Sequence, residues 1–286
     1  MTPVLPGNTR ERRIEEPTNL WIVHPIGRHL LPWFVAQRIS ANAVSIGGLA
    51  IGLGAAAAYY NWRDWPMCLL GLALTIGWLI ADGLDGMIAR ATGTASAVGR
   101  FLDGLCDHGV FVAIYVAMAL SIGTAEAWVL ACTAGALHAL QSNIYEGERT
   151  RFHQRRDGRP ADAVVPAGNA LVWLYDAVGA GMDRTSRRFD DLLARSPAPR
   201  AVADRYVVAA IPSMRLMCLL SANTRVQIIF LACIAGDPRA FWWVEIVALT
   251  AILIIGFTRH RMVEARLVRA QAGSSMTFIN EDFTRP

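Results

Sequence analysis

The stretch running from residue 81 to residue 109, ADGLDGMIARATGTASAVGRFLDGLCDHG, decides the reading of the whole chain. Asp82 and Asp85 are three apart and share one helix face; Asp103 and Asp107 are four apart and share another. Apolar residues precede Asp82 and follow Asp107. Four carboxylates therefore sit at the ends of two neighbouring apolar helices joined by a short polar loop. With the first of these helices entering a membrane near Trp65, Asp82 lies about 25 Å along it at ~1.5 Å per residue, just inside the far interface. Four anions this close repel one another and are costly to desolvate. Something cationic must compensate, and Arg90 alone is not enough. Clustered hard oxygen donors suit Mg²⁺ or Mn²⁺, and two ions balance four carboxylates. No Cys/His set has the spacing of a zinc site. The usual partner of Mg²⁺ held by several aspartates is a substrate phosphate, often a diphosphate. Gly83, Gly86 and Gly104 keep these helix faces free of bulk, so that a ligand or another helix can approach. Arg90 is placed to hold phosphate oxygens bidentately.

The composition agrees with a membrane setting. The chain has 286 residues, is 54% apolar and only 17% charged, and has a mean hydropathy of +0.34. A soluble domain carries about 25% charged residues. This much apolar surface excludes disorder, and five cysteines with no C-x-x-C pair exclude a disulfide scaffold. The cysteines read as small apolar packing residues. The net charge is +4, all of the basic residues being arginine. In a membrane protein that charge points to topology and lipid headgroups rather than to nucleic acid.

Apolar length predicts an all-α polytopic protein with six spans, at about residues 43–61, 66–90, 100–123, 126–146, 208–235 and 241–258. Arginines crowd the segments before the first span, between the second and third, between the fourth and fifth, and after the last. The alternate loops carry only Arg63 and Arg239. This asymmetry puts both termini and the aspartates on the cytoplasmic side of an inner membrane. Residues 1–42 read as a cytoplasmic N-terminus without a signal peptide. Within it, 20–35, broken by Pro25 and Pro32, form a juxtamembrane amphipathic helix lying along the surface. Residues 43–146 carry the first four spans and 147–206 an Arg-rich cytoplasmic insertion. There Leu171, Leu174, Tyr175, Val178 and Met182 recur at helical spacing; a flexible linker is the alternative. Residues 207–262 hold the last two spans and 263–286 a cytoplasmic tail.

The pattern D-x2-D-G-x2-A-R-x8-G-x3-D-x3-D, at Asp82, Asp85, Gly86, Ala89, Arg90, Gly99, Asp103 and Asp107, resembles the signature of the CDP-alcohol phosphotransferases. A second element resembles the same family. Where its members often carry Pro-Asn-x-x-Thr, this chain has Ala41, Asn42 and Ser45. The resemblance implies that Asp82, Asp85 and Asp103 bind a first metal ion. Asp107 helps bind a second and serves as general base, while Asn42, Ser45, Gly86, Arg90 and Ser96 contact the CDP moiety. Helix capping is the alternative for Asn42 and Ser45. His108, about 100° around the helix from Asp107, reads as packing. The resemblance further implies a homodimer and a membrane-lipid donor.

The implied reaction moves a substituted phosphate from a CDP-alcohol, CDP-diacylglycerol in the first instance, to a hydroxyl with release of CMP. Arg215 and Arg225 suggest a phosphorylated polyol acceptor, such as glycerol phosphate or inositol phosphate. Pairing of Arg225 with an acidic residue or with helix carbonyls is the alternative. Three other readings stay open. They are a CDP-choline or CDP-ethanolamine enzyme with a lipid acceptor, an intramembrane prenyltransferase, and a divalent-cation transporter.

Overall fold

The computed structural model describes residues 11–161 and 185–282, and among them every regular element is a helix. A π-helical turn, Asn19–Val23, leads into α1 (His24–Ala36). There follow α2 (Ala41–Tyr60), α3 (Trp65–Thr92), α4 (Ala97–Ile122) and α5 (Ala125–Arg156). Helix α6 covers 185–195, α7 Pro199–Met217 and α8 Ala222–Ile234. A short α9 (Arg239–Trp243) continues through a π-helical stretch, Val244–Leu249, into α10 (Thr250–Asp282). The helical periodicity expected at 171–182 lies outside the described residues.

Two compact units emerge. The first to be described holds residues 15–139 and 219–250. Its heart is α2 packed on α3 and α4 through small residues. A methyl at Gly52 would lie 2.2 Å from Val110 of α4, one at Gly48 would lie 3.2 Å from Ala81 of α3, and one at Gly71 would lie 2.8 Å from Tyr59. In lipid, where apolar surface gains little by leaving the solvent, such close backbone approach is what holds helices together. Local chemistry sets the helix ends. Ser40, in extended conformation, accepts from the Ala43 amide to start α2, and Ser96 does the same for Gly99 at the start of α4. Gly93 and Gly123 end α3 and α4 in the left-handed region at φ 69° and 75°. The N-terminal segment is tied down by Glu16, whose carboxylate accepts from the Asn19 amide and from Asn223 of α8.

The other unit holds residues 11–14, 140–161, 185–218 and 251–282. Its core stacks Phe152, Phe189 and Tyr206, with ring centroids 4.9 Å apart for Phe189–Tyr206 and 5.8 Å for Phe152–Tyr206. Here α7 and α10 approach so closely that a methyl at Gly256 would lie 2.4 Å from Met217.

Of the six expected spans, four are matched among the described residues by helices long and apolar enough to cross a membrane: Ala41–Tyr60, Trp65–Thr92, Gly104–Ile122 and Arg239–Gln271. A fifth exists if Pro199–Leu220 and Ala222–Ile234 count as one span, broken at Ser221. The break has a cause, since Ser221 accepts from the Thr224 amide and starts a new helix. The segment expected as the fourth span is helical, but Glu126, His138 and Gln141 dilute its apolarity. Near the N-terminus, Pro32 does not break α1. Pro25 occupies its first turn, where a missing amide hydrogen costs nothing.

Candidate active site

Helix α2 packs on both α3 and α4, the helices that carry the signature residues. Asp85 is buried on α3, and its Oδ2 accepts a short hydrogen bond from the Ser45 hydroxyl of α2, 40 residues away in sequence. Ser45 lies also 3.2 Å from the Ala41 carbonyl, one turn back on its own helix. The two oxygens fix its rotamer, and Ser45 in turn fixes the carboxylate. Asp82, one turn earlier on α3, is half-buried, as is Asp107 on α4. Asp103 lies one turn before Asp107 on the α4 backbone; its side chain is outside the described ones.

Each glycine of the stretch has its own neighbour. Gly83 admits Val23 of the N-terminal turn, whose Cγ1 would be 2.9 Å from an added methyl. At Gly86 the vacated space holds the Arg90 guanidinium, 3.2 Å from where a Cβ would stand. Around Gly104 the space is open. Gly99 lies beneath Asn42 and Ser96, whose oxygens would be 3.5 and 3.2 Å from a methyl there. Asn42 and Ser96, from the starts of two different helices, therefore share one patch. Ser40, rather than Asn42 or Ser45, caps α2, which leaves Asn42 exposed at the surface.

The donor set fits hard divalent ions. It offers carboxylate oxygens, one of them pre-oriented by a hydroxyl, beside a cation on a glycine-cleared face. A different trio, Glu148, His260 and Glu264, has ligand atoms within 4.8 Å of one another in the unit built from residues 140–161, 185–218 and 251–282. That trio already has its cations. Arg261 bonds both carboxylates, Arg151 reaches Glu148, and Arg155 links Glu264 to Asp190 and Ser186. His260 donates from Nδ1 to Glu148 at 2.7 Å, and its Nε2 lies 2.8 Å from the Tyr206 hydroxyl, so both ring nitrogens are used. Burial alone would raise the Glu148 pKa, but Arg261, the His260 hydrogen bond and Arg151 outweigh it and hold the carboxyl at about 2. An ion-pair network accounts for this trio without a metal.

The two arginines suggested for the acceptor differ in setting. Arg215 is exposed on α7. Arg225 is fully buried; it donates to Glu245 from Nε at 3.0 Å and from Nη2 at 2.9 Å, and caps the Leu220 carbonyl at the helix break. Glu245 had no signal in the sequence beyond being an acidic residue within an apolar run. Tyr115 and His138, which continue its hydrogen-bond chain, had none either.

Comparison with known proteins agrees with this geometry. The profile of the family described as CDP-alcohol phosphatidyltransferase matches residues 38–178. Cholinephosphotransferase 1 of Rattus norvegicus is 30% identical over 119 residues, 36% of this chain and 28% of the relative. Its Bos taurus counterpart is 28% identical over 114 residues, again covering 28% of that protein. The chain thus spans under a third of the cholinephosphotransferases it matches. Archaetidylinositol phosphate synthase of Pyrococcus horikoshii is 29% identical over 139 residues, 49% of this chain and 69% of the relative. Helices α2 to α4, with Ser45, Asp82, Asp85, Gly86, Arg90 and Asp107, lie inside the matched segment, and residues 38–178 belong to the CDP-alcohol phosphatidyltransferase family of transferases.

Proposed function

We propose that this protein is a membrane phospholipid-synthesis enzyme. It transfers a phosphatidyl group from CDP-diacylglycerol to a hydroxyl of a polar acceptor, a polyol or polyol phosphate, and releases CMP. The observation that carries the reading is the Ser45–Asp85 hydrogen bond beside the Gly86 notch filled by Arg90. A serine spent on aiming one carboxylate, next to a cation on a bare helix face, suits a site for a metal-bound diphosphate.

Asp82, Asp85, Asp103 and Asp107 would hold two divalent ions, Mg²⁺ or Mn²⁺, which when bound neutralise the diphosphate and the departing CMP. Arg90 binds phosphate oxygens over Gly86, and Asn42 and Ser96 contact the nucleotide from their shared patch. Asp107 takes the proton of the acceptor hydroxyl as its oxygen attacks the phosphorus that bears the diacylglycerol. The bond from that phosphorus to the CMP oxygen breaks, and CMP leaves as the anion. Arg215 is the remaining candidate for an acceptor phosphate, since Arg225 is engaged by Glu245. In the membrane, the six helical segments cross with both termini and the site cytoplasmic, the π-helical turn and α1 lie along the surface with Trp21 and Trp33 outward, and two chains pair as a homodimer.

A second reading, a CDP-choline donor with a lipid acceptor, is favoured by the likeness to the mammalian cholinephosphotransferases. Incubating the purified protein with CDP-diacylglycerol or CDP-choline and a panel of alcohols, with CMP release and lipid product mass as readouts, separates the two. Activity is expected with CDP-diacylglycerol, abolished by a chelator and restored by Mg²⁺ or Mn²⁺. Full activity after thorough metal removal would sink the site assignment, and metal flux without CMP release would turn the reading into a transporter.

A further inference from the structure

Between Asp82 and Asp85 on α3 stands Gly83, and its notch is filled from another segment. Val23 closes the N-terminal π-helical turn and is buried, with its Cγ1 2.9 Å from where a methyl at Gly83 would stand. One turn further along each helix the roles reverse. Met87 of α3 lies over Gly27 of α1, its Sδ 3.2 Å and its Cε 3.3 Å from the place of an added methyl. Val23 and Gly27 are four apart, as are Gly83 and Met87, so each pair shares one helix face. Two side chains seated in two notches fix α3 both in rotation and along its axis, because a slip of one residue displaces a notch by ~1.5 Å and turns it by ~100°. Farther along α1, Leu30, Leu31 and Phe34 pack on the buried cluster of Val44, Leu84 and Ile88. Val44 precedes Ser45 and Leu84 precedes Asp85, so α1 bears on both helices at the level of the Ser45–Asp85 hydrogen bond. The turn that carries Val23 is anchored at its start, where Glu16 accepts from Asn223 at 2.9 Å and Thr18 accepts from Gln227 at 2.8 Å. Such π-helical turns are rare and occur frequently at functional sites.

We propose that Val23 is a positioning residue for the metal site: seated on Gly83, it holds α3 at the rotation in which Asp82 and Asp85 present their carboxylates to a divalent ion. The inference rests on the transferase reading above. Asp85 is aimed by Ser45. Asp82 stands one residue before the notch, on the stretch of backbone against which Val23 is seated. Ligands of a metal site must be held within about 0.5 Å and about 10–20° of the productive geometry by side chains that are themselves locked. Valine suits this task, since its branched Cβ leaves it stiff about χ1 where a longer side chain would yield. The two glycines of this stretch thus serve different ends. Gly86 makes room for Arg90 of the same helix, whereas Gly83 admits a stop from the N-terminal segment.

The test uses the full-length protein in detergent with Mn²⁺ as the probe. Mn²⁺ affinity is measured by calorimetry without nucleotide, and the unfolding midpoint is measured beside it. Val23→Ala empties the seat and Gly83→Ala overfills it. Each should weaken Mn²⁺ binding roughly tenfold, the lower end of what loss of a supporting contact costs a metal site. The double variant, with a small side chain on each partner, should return to within about twofold of wild type. Ile229→Ala, which opens a cavity on α8 of the same unit, is the control. It should lower the unfolding midpoint and leave Mn²⁺ affinity within about twofold of wild type, the pattern a merely structural Val23 would also give. Should Gly83→Ala fail to fold, the comparison of Val23→Ala with Ile229→Ala decides, and Met87→Ala empties the second seat for the same reading. Two results overturn the proposal: Mn²⁺ affinity in Val23→Ala that matches the control, or a double variant that binds no better than the weaker single one. Either result in an enzyme that releases CMP removes the inference and leaves the transferase reading standing. A wild type that neither binds Mn²⁺ nor releases CMP removes both.

Discussion

Asp85 and Asp107 present the same chemical group to different neighbours. Asp85 is buried and aimed by Ser45; Asp107 is half-buried one turn beyond Asp103. Asp107→Asn should therefore bind donor and metal with modest loss but turn over 10²–10⁴-fold more slowly, since an amide keeps one oxygen and cannot take a proton. That is about 3–5 kcal/mol in barrier. Asp85→Asn should weaken donor binding as well as rate. Donor affinity by calorimetry beside single-turnover CMP release distinguishes them, and equal loss of binding in both variants would make Asp107 only a ligand. Gly86→Ala tests the notch directly. A methyl there stands 3.2 Å from the Arg90 guanidinium, which must swing aside, so donor affinity should fall several-fold while metal binding persists. At this scale the sequence was informative about spacing along one helix, which puts Asp82 a turn from Asp85 on α3 and Asp103 a turn from Asp107 on α4. It was silent on partners from distant segments. Ser45 meets Asp85 across 40 residues and His138 meets Tyr115 across 23, and no periodicity encodes either pairing.

Helices α5, α6, α7 and α10 illustrate how an element can be legible while its role is not. Apolar length marks parts of α5, α7 and α10 as spans, but their polar ends and the whole of α6 fall in segments read as an Arg-rich insertion and a cytoplasmic tail. In the fold Glu148, Arg151 and Arg155 of α5 meet Asp190 of α6, Tyr206 of α7 and His260, Arg261 and Glu264 of α10. Glu148 has a folded-state pKa of about 2, below its ordinary value of 4.5. Its contribution is present above pH ~4.5 and is lost as the pH falls toward 2, because the unfolded chain then binds the proton first. The linkage is on the order of 3 kcal/mol. Glu148→Gln should lower the unfolding midpoint at pH 7, and the gap from wild type should narrow on acidification to pH 3. A gap that stays constant with pH would show that the carboxylate is not the titrating partner. Arg155→Met should also lower the unfolding midpoint, because it removes the cation that Asp190 and Glu264 share, Glu264 keeping Arg261.

For the molecule as a whole, two lines of physics give different crossings. Arginine asymmetry demands that residues 147–206 stay on the side of the termini, which needs a span between Ile122 and that insertion. Hydropathy along the chain denies α5 that status, because His138 and Gln141 lie in its centre. The fold explains how both can stand. His138 is 7% exposed and Gln141 is fully buried, so the residues that lower the hydropathy of α5 face protein rather than lipid. Its outward side chains include Trp128 and Val129, 38% and 66% exposed. A helix with a polar face packed inward crosses a bilayer at little cost, since its backbone is satisfied internally and only its outer face meets lipid. The expectation is that α5 crosses and that Ala161 is cytoplasmic. In a cysteine-free background Ala161→Cys should resist an impermeant thiol reagent in intact cells and react after permeabilisation. Labelling from outside would remove the α5 crossing, put the insertion on the face opposite Asp82 and Asp107, and force the arginines of the insertion to be read as something other than a topological signal.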